Sequence, residues 1–522
     1  MTTPKFPKPP IGGMPRHRRD DGPAPHGARR GPGPGHAPHG GPQGRGPGGP
    51  GRPGPGPGGR PGSPPLRRPE LALAPVASGE PVSLFLPCPA GVEPLLADEC
   101  ARLLGVDRSV VPADPSRRPV IELKGGVRVR ADGVGAMRLN LECRLAQRVL
   151  WPLAHGPYGH EDDLYALARR VPWVDWITPR ETFRIDTSAQ RSPLQSLNFA
   201  TLRVKDALCD VLRDATGERP SVDTRHPDLS LVLHLAEDLA TLYVDLSGEA
   251  LFKRGWRDER DGGLKGEAPL KETLAAAMLA AAGWQGRAED GALLDPCCGA
   301  GTIAIEAAQI ACGIAPGLQR RFAFEQLRAF RPLLGEWARL KTEAKARVHA
   351  PAVAIHAGDV AFRMTDFAQR NAQRAGVGHA IQFKTGDALQ RPAPAAGGLL
   401  VLNPPYGERI EAKGTHGVRD DDMRGPRGQG SREDFDAGAS AGEFYAALAA
   451  HWKRAYTGWT AWVLSPDLKL PQALRLKETR RVPMWNGAIE CRLFRFDLVS
   501  GSARTPREPR AGDTPEAGTA AG

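Results

Sequence analysis

The stretch that decides the fold is Gly398-Leu399-Leu400-Val401-Leu402-Asn403-Pro404-Pro405-Tyr406. Its apolar half predicts a buried strand. The two prolines end that strand, because proline donates no hydrogen bond to a neighbouring strand and has a fixed φ. The strand therefore opens onto a rigid turn. Taken alone, the segment could also be an ordinary turn on an apolar flank.

The groups on this turn are suited to holding a planar amine. An exocyclic amine on a nucleobase carries two N–H donors, so it needs acceptors in its own plane and a flat surface beside it. The Asn403 side-chain oxygen and the Pro404 carbonyl are suitable acceptors, and the Tyr406 ring is a suitable surface. We therefore predict that Asn403, Pro404 and Tyr406 are catalytic residues for methylation of an amino group on a base or an amide.

The chain around this turn alternates between strand and helix patterns over residues 265–500. Such alternation predicts an α/β fold with a doubly wound sheet. Lys413–Gly442 interrupts it without periodicity, and we predict a mobile insertion there. The predicted strands are 292–295, 353–356, 380–383, 399–402, 459–464 and 489–497, and the predicted helices are 304–311, 364–375 and 446–455.

A glycine-rich turn follows the first of these strands. Asp295-Pro296-Cys297-Cys298-Gly299-Ala300-Gly301-Thr302 ends a strand and opens a helix, where small residues let a ligand approach the backbone. It is not the dinucleotide fingerprint, since the third glycine is absent and an acid precedes the others. An acid beside such a turn suits a zwitterion such as S-adenosylmethionine. A plain strand–helix turn is the alternative.

Two further acids end the next two strands. Asp359 is placed to bond both hydroxyls of a ribose, and Asp387 to accept from an adenine amine. Either acid alone could be a solvated strand end. Three acids at successive strand ends point instead to one cofactor site, because ligands bind beyond the carboxyl ends of such strands. Asp295, Gly299, Gly301, Asp359 and Asp387 are the predicted cofactor-binding residues.

The region before this domain has mixed helix and strand patterns and no apparent catalytic group. We predict an α+β unit at 81–150 and a second at 151–250, which together bind a substrate too large for one pocket. Residues 1–80 are rich in Gly, Pro and Arg, and we predict that they are disordered, as we do for 501–522.

Most of the basic charge belongs to the N-terminal tail. Residues 1–70 hold 12 Lys and Arg against 3 Asp and Glu, a net of +9, whereas the whole chain carries +11. The remainder holds 58 basic against 56 acidic residues, a net of +2. An Arg-rich arm attracts nucleic acid through phosphate contacts. A solubilising extension without a dedicated role is the alternative.

The cysteines and the apolar segments indicate a reduced, soluble environment. The 8 cysteines form no C-x-x-C pair and no spacing typical of zinc, so we predict no metal and a cytoplasmic location. We see no signal peptide and no apolar run long enough to span a membrane.

Residues from about 82 to about 498 resemble the bacterial THUMP-domain 23S rRNA guanine-N2 methyltransferases. The resemblance is carried by the following segments: Leu145–Leu150, Val204–Ala207, Val244–Gly248, Arg254–Arg257, Ala268–Ala275, Leu294–Pro296 and Asn403–Arg409. It implies a Rossmann-like class I methyltransferase domain, preceded by a ferredoxin-like unit and a THUMP RNA-binding unit. The segment around Pro269-Leu270-Lys271 would border the cofactor pocket.

The resemblance also implies the ligands. The cofactor would be S-adenosylmethionine, with Asp295, Gly299 and Gly301 at its methionine end, Asp359 at the ribose and Asp387 at the adenine. The partner would be 23S rRNA in a pre-ribosomal form, and we infer no protein partner.

The chain departs from the family in several places. Ala361 stands where a second acid is common, Cys297-Cys298 replaces a frequent Met-Cys, and 413–442 is long. The chain also ends too soon to include the second methyltransferase domain that some members carry. Two other functions stay open on the residues: a DNA adenine-N6 methyltransferase, and a non-catalytic RNA-binding assembly factor.

Overall fold

The computed structural model describes residues 75–257, apart from Val111, Ala113, Pro115 and Ser116, together with residues 270–404 and 437–499. Residues 1–74 and 501–522 of the predicted tails, and Tyr406, lie outside the described residues. The end of the predicted N-terminal tail is ordered: Val76–Ser78 form a short 3-10 helix, and Val76 is buried. Within the described parts, no helix is both long and apolar enough to cross a membrane.

The N-terminal part forms one eight-stranded sheet in the order β2-β3-β1-β4-β8-β7-β5-β6. Most strand pairs in this sheet are antiparallel, and the parallel pairs described are β5–β6 and β5–β7. The strands are β1 Val82–Pro87, β2 Val120–Leu123, β3 Gly126–Ala131, β4 Leu150–Pro157, β5 Thr182–Gln190, β6 Ser221–Val222, β7 Leu229–Ala236 and β8 Leu239–Asp245.

Four helices accompany this sheet: α1 Glu93–Leu104, α2 Gly133–Glu142, α3 Glu161–Ala168 and α4 Leu197–Thr216. Their ends follow local rules. The Ser196 side chain accepts a hydrogen bond from the Phe199 amide (3.2 Å), which begins α4. Gly217 ends it with a left-handed backbone at φ 83°.

Strand β4 joins the two units expected at 81–150 and 151–250. It pairs with β1 through Phe85 and Leu150, and with β8 from Leu150–Asp245 to Pro157–Leu239. The predicted boundary therefore falls inside one continuous sheet. The sequence pattern concealed β4, because nearly every residue from Leu150 to Gly156 is buried and the strand lacks alternation.

The C-terminal part forms a seven-stranded sheet in the order β11-β10-β9-β12-β13-β15-β14. The strands are β9 Ala292–Asp295, β10 Ile355–Asp359, β11 Ile381–Thr385, β12 Gly398–Leu402, β13 Trp459–Ser465, β14 Arg480–Asn486 and β15 Ile489–Asp497. The helices are α5 Glu272–Ala282, α6 Thr302–Ala311, α7 Leu334–Ala346, α8 Phe362–Arg374, α9 Ala437–Ala455 and α10 Leu470–Leu474.

The topology of this sheet creates a cleft for ligands. β9, β10, β11, β12 and β13 are parallel, and only β15 runs against its neighbours β13 and β14. From β9 the chain proceeds to β10 and β11 on one side, then crosses to β12 on the other. Ligands in such sheets bind at this reversal of strand order, beyond the carboxyl ends. The predicted α/β class and Rossmann-like order are confirmed.

Some predicted elements differ in position. The strand expected at 353–356 is β10, Ile355–Asp359, so it ends at the acid rather than before it. The helix expected from residue 446 begins at Ala437, so the end of the proposed insertion 413–442 is helical. Its small residues Ala437-Gly438-Ala439-Ser440-Ala441-Gly442 gave no amphipathic signal.

A buried ionic cluster connects the two sheets. Glu306 on α6 is fully buried, and its carboxylate contacts Arg254 (Nε–Oε1, 3.0 Å) and Arg144 (3.3 Å). Arg254 also donates to the Arg144 carbonyl (2.7 Å). Removing one member would leave an uncompensated charge in the interior, which is strongly destabilising. The cluster therefore fixes the N-terminal part against the helix that follows β9.

Candidate active site

Strand register brings the predicted residues to one edge of the C-terminal sheet. Ala357 on β10 pairs with Asp295, and Leu400 on β12 pairs with Leu294. Asp359 and Asn403 are thus each two residues beyond the level of Asp295, on opposite sides of β9. With strands about 4.8 Å apart, these three polar side chains share one cleft.

Asp295 is a buried acid without a cation beside it. It is only 1 % exposed, and its one hydrogen bond within the described chain comes from the Cys297 amide (3.2 Å). Burial is the main reason that the pKa of Asp295 rises to about 8, and the nearby Asp359 adds to the effect. No described residue forms an ion pair with Asp295. The carboxylate is therefore suited to a positively charged group supplied by a ligand.

The two predicted glycines have different physical roles. Gly299 has φ 50° and an amide that donates to Asp359 (3.1 Å). Gly301 has φ 85°, and a Cβ there would lie 2.9 Å from the Cβ of Ala368 on α8. Gly301 therefore lets α6 and α8 approach each other, while Gly299 shapes the turn facing the cleft.

Asp359 is held in place by two backbone amides. Its Oδ2 accepts from Gly299, and its Oδ1 accepts from Ala361 (3.0 Å). Burial raises the pKa of Asp359 even though both hydrogen bonds oppose this. Each oxygen has a second lone pair, so the carboxylate can still accept from two hydroxyls. Ala361, the departure from the family pattern, contributes its backbone rather than a second acid.

Asp387 and Asn403 complete the described edge. Asp387 lies two residues beyond β11, and its Oδ1 accepts from the Leu389 amide (2.9 Å). Asn403 is half-buried directly after β12, and Pro404 is buried. Tyr406 lies outside the described residues and stays a prediction.

Sequence reasoning missed Arg391. Its guanidinium donates to the Ala357 carbonyl (3.0 Å) behind the β9–β10 edge, and burial lowers its pKa. It lies near enough to Asp295 to favour the charged carboxylate, but the two form no ion pair. Nothing in the local pattern distinguishes Arg391 from a surface arginine, because the contact joins residues 34 apart.

Arg257 was quoted only as part of a family segment. It contacts the Glu272 carboxylate (2.6 Å) and donates to the Thr302 hydroxyl (2.7 Å) at the first residue of α6. Arg257 therefore ties the segment between the sheets to the helix that begins at the glycine turn.

The two cysteines of the turn are not poised as nucleophiles. Burial raises the pKa of both the Cys297 and the Cys298 thiol, and the neighbouring acids raise it further. Cys298 is buried in the turn and Cys297 is partly buried.

Family comparisons agree with this geometry. Residues 254–418 match the RMKL-like methyltransferase domain of the UPF0020 family, and residues 158–245 match the THUMP domain. The chain carries a THUMP domain and an RMKL-like methyltransferase domain. The first matches strands β5–β8 with the helices between them, and the second includes β9, β10, β11 and β12.

A curated relative and two solved structures extend the comparison. The chain is 37% identical over 430 residues to the ribosomal RNA large subunit methyltransferase K/L of Syntrophotalea carbinolica, covering 80% of this chain and 54% of that protein. The chain thus spans about half the length of the curated relatives it matches. A possible methylase from Clostridium difficile 630 has TM-score 0.66 and 26% identity, covering 81% of this chain and 100% of that one.

The second structure shows a shared fold. It is a methyltransferase, SMU.472, crystallised as a complex with SAH, with TM-score 0.65 and 23% identity; 81% of this chain and 100% of that chain are covered. The fold of this chain, over 81% of its length, is therefore shared with chains of solved structure.

Proposed function

We propose that this chain transfers a methyl group from S-adenosylmethionine to the exocyclic N2 amine of a guanine in 23S rRNA. The observation that carries the proposal is the shared edge of β9, β10 and β12. There an unpaired buried acid, a backbone-held acid and an asparagine face one cleft. The name of the Syntrophotalea carbinolica relative supports a large-subunit rRNA as substrate.

The cofactor-binding roles follow from charge and hydrogen-bonding capacity. Asp295 would pair with the α-ammonium group, which supplies the cation that its buried carboxylate lacks. Asp359 would accept from the ribose hydroxyls, and Asp387 from the adenine amine. S-adenosylmethionine supplies an electrophilic methyl group on a sulfonium. The chain's own residues hold it and exclude water.

The target base would be held at the end of β12. A guanine must leave its stack to reach this cleft, at a cost of a few kcal/mol. The Asn403 side-chain oxygen and the Pro404 carbonyl would accept the two N–H bonds of its amine. These contacts draw the nitrogen lone pair out of conjugation and direct it at the methyl carbon. Catalysis is then mainly positioning, and no strong base is required.

The rest of the chain would select the RNA. The N-terminal sheet, which includes the THUMP domain, would bind the RNA by shape, and the substrate would be a pre-ribosomal form in which the guanine is still accessible. Neither a metal nor a protein partner has a role in the proposal.

The test is methyl transfer by the full chain. Tritiated S-adenosylmethionine would be offered with protein-free 23S rRNA, assembled large subunits and duplex DNA. We expect label in protein-free 23S rRNA, recovered as N2-methylguanosine by nuclease digestion and mass spectrometry. Label in DNA adenine would favour the other enzyme class, and RNA binding without transfer would favour an assembly factor.

A further inference from the structure

A cavity of about 210 Å³ lies between the N-terminal sheet and the methyltransferase domain. None of the predicted catalytic or cofactor-binding residues lines it, although Lys271 belongs to the segment expected to border the cofactor pocket. Residues from four distant parts of the chain line it, among them Ala90, Gln147, Lys271, Thr273, Trp485 and Gly487. We call it the hairpin cavity, because Trp485 on β14 and Gly487 in the turn that follows belong to the β14–β15 hairpin.

The hairpin cavity lies on the same edge of the sheet as Asn403. Leu402 pairs with Val463, the next residue Leu464 pairs with Leu493, and Leu493 pairs with Val482. Val482 is therefore level with Asn403. Since β14 runs in the same direction as β12, Trp485 is three residues further out, about 10 Å beyond the edge.

The lateral separation is also set by the sheet. Asn403 and Val482 are three strand spacings apart, about 14 Å. Combined with the outward step, Trp485 lies about 17 Å from Asn403, a distance that a few nucleotides of single-stranded RNA would cover. A chain whose target base enters the cleft at Asn403 could therefore continue to the cavity.

Both walls of the cavity are fixed. On the N-terminal side, a Cβ on Gly91 would lie 2.1 Å from the Pro483 carbonyl oxygen, so the β1–α1 turn packs directly on β14. Gly91 has φ 85°, which favours glycine for a second reason. On the other side, α5 begins at Glu272, which the Arg257 ion pair holds. The cavity is therefore preformed between the two domains.

Its lining suits a nucleotide. Trp485 offers an aromatic surface at the rim, and Gln147 offers a side-chain amide. Lys271 has a positive charge that forms no ion pair within the described residues, although its ammonium lies over the Phe252 ring (5.0 Å). Thr273 is 1 % exposed, and its hydroxyl has no hydrogen-bond partner among the described residues. A buried hydroxyl of this kind is costly unless a ligand or water satisfies it.

We infer that the hairpin cavity binds a nucleotide of the RNA strand that flanks the target guanine, with its base against Trp485 and its phosphate near Lys271. Base stacking on aromatic side chains together with a nearby cation is the usual chemistry of single-strand binding. The inference rests on the proposed function for the identity of the strand. It adds a second contact that would fix which guanine reaches Asn403.

The first experiment compares RNA binding by the full chain and three variants. Trp485→Ala should weaken the affinity for protein-free 23S rRNA by about tenfold, and Trp485→Phe should retain most of it, because a phenyl ring still stacks. Ile489→Ala is the matched control, since Ile489 is an exposed apolar residue of the same hairpin that does not line the cavity. S-adenosylmethionine affinity should be unchanged in all three.

The second experiment uses charge at Ala90, an exposed lining residue on the opposite wall. Ala90→Glu should weaken RNA binding by about threefold or more at low salt and by less at high salt, because phosphate contacts are screened. Ala90→Lys should not weaken it. Both substitutions replace the same exposed residue, so a folding defect would affect the two variants alike and would not explain a difference between them.

The outcomes are distinct. If Trp485→Ala and Ala90→Glu bind RNA with unchanged affinity while the unmodified chain transfers methyl groups, the cavity assignment is overturned. The proposed function is then unaffected. Weaker S-adenosylmethionine binding in Trp485→Ala would overturn it too, since the cavity would then belong to the cofactor. If the variants bind RNA more weakly than the unmodified chain, and the unmodified chain transfers no methyl group, the cavity assignment would be supported and the proposed function overturned. An unmodified chain that binds no RNA would overturn both.

Discussion

Two buried aspartates end strands in the two sheets, and their surroundings differ. Asp245 ends β8 of the N-terminal sheet, and Asp295 ends β9 of the methyltransferase domain; each is 1 % exposed. Asp245 forms an ion pair with Arg148 and accepts from the Ser247 amide (2.9 Å). Asp295 has one backbone hydrogen bond and no ion pair among the described residues.

The difference distinguishes a structural acid from one that we propose binds a ligand. Burial raises the pKa of both carboxyls, but Arg148 counteracts this for Asp245. A buried carboxylate without a counter-ion lowers the stability of the fold, so it is unfavourable at a purely structural position. A cationic group on a ligand would offset this cost at Asp295. The chemistry is thus concentrated at the edge of the second sheet.

The largest expected effect comes from that edge. Asn403→Ala should lower the rate of methyl transfer by about a hundredfold or more, because a positioned acceptor in a dry site contributes a few kcal/mol to the transition state. Single-turnover assays at saturating RNA and S-adenosylmethionine would measure it. The matched control is Asn198→Ala, an exposed asparagine on α4 of the N-terminal sheet, whose saturated rate should not change. A nearly normal rate in Asn403→Ala would rule out the proposed mechanism.

The next effect tests the role of Asp295 directly. Asp295→Asn removes the charge and keeps the shape, so S-adenosylmethionine should bind at least about tenfold more weakly, the value of a charge-assisted hydrogen bond. The melting temperature should stay the same or rise, because an unpaired buried acid has been removed. Calorimetric titration and thermal unfolding of the same sample measure both. Unchanged affinity in a folded variant would remove Asp295 from the site.

Much of this arrangement could be predicted from the sequence, because it depends on local patterns. Alternating strands and helices gave the α/β class, and the acids at 295, 359 and 387 follow strands that the apolar runs identify. β4 could not be recognised, since its pairing with β1 and β8 joins residues far apart in the chain.

The site itself was predicted only in part, for the same reason. That Asp359 accepts from the Gly299 amide depends on a contact across 60 residues, and Arg257 reaches Thr302 across 45. Local propensity carries no information about either distance. The roles of Asn403, Pro404 and Tyr406 stay predictions, since they concern a ligand.

At the other aspartate the expected effect is on stability and not on cofactor binding. Asp245→Asn leaves Arg148 without its charged partner and should lower the free energy of unfolding by about 2 kcal/mol, less than for a fully buried pair because Arg148 is 30% exposed. S-adenosylmethionine affinity should stay the same. Denaturant unfolding and calorimetry would measure the two quantities. If Asp245→Asn weakened cofactor binding as much as Asp295→Asn, the two aspartates would not differ in role.

The last effect is a dependence of stability on pH. In the folded protein without cofactor, the pKa of Asp295 is about 8, well above the usual 3.8 of an aspartate. Between about pH 5 and pH 7 the folded state therefore holds a proton that the unfolded state has released. Stability is greatest at low pH and falls as the pH rises toward 8, by at most about 1.4 kcal/mol per pH unit for one proton.

Asp295→Asn cannot release this proton, so the variant should gain stability relative to the unmodified chain as the pH rises from 5 to 7. At each pH, the free energy of unfolding of the unmodified chain is subtracted from that of Asp295→Asn. The contributions of all other titrating groups cancel in this difference. Asp245→Asn provides the control subtraction and should show a smaller slope, because the Arg148 guanidinium opposes the rise in the pKa of Asp245. Saturating S-adenosylmethionine should flatten the Asp295 difference, since a bound cation favours the charged carboxylate. A difference curve that is level from pH 5 to 7 would mean that Asp295 is already ionised in the free protein, and that its carboxylate needs no cation from a ligand.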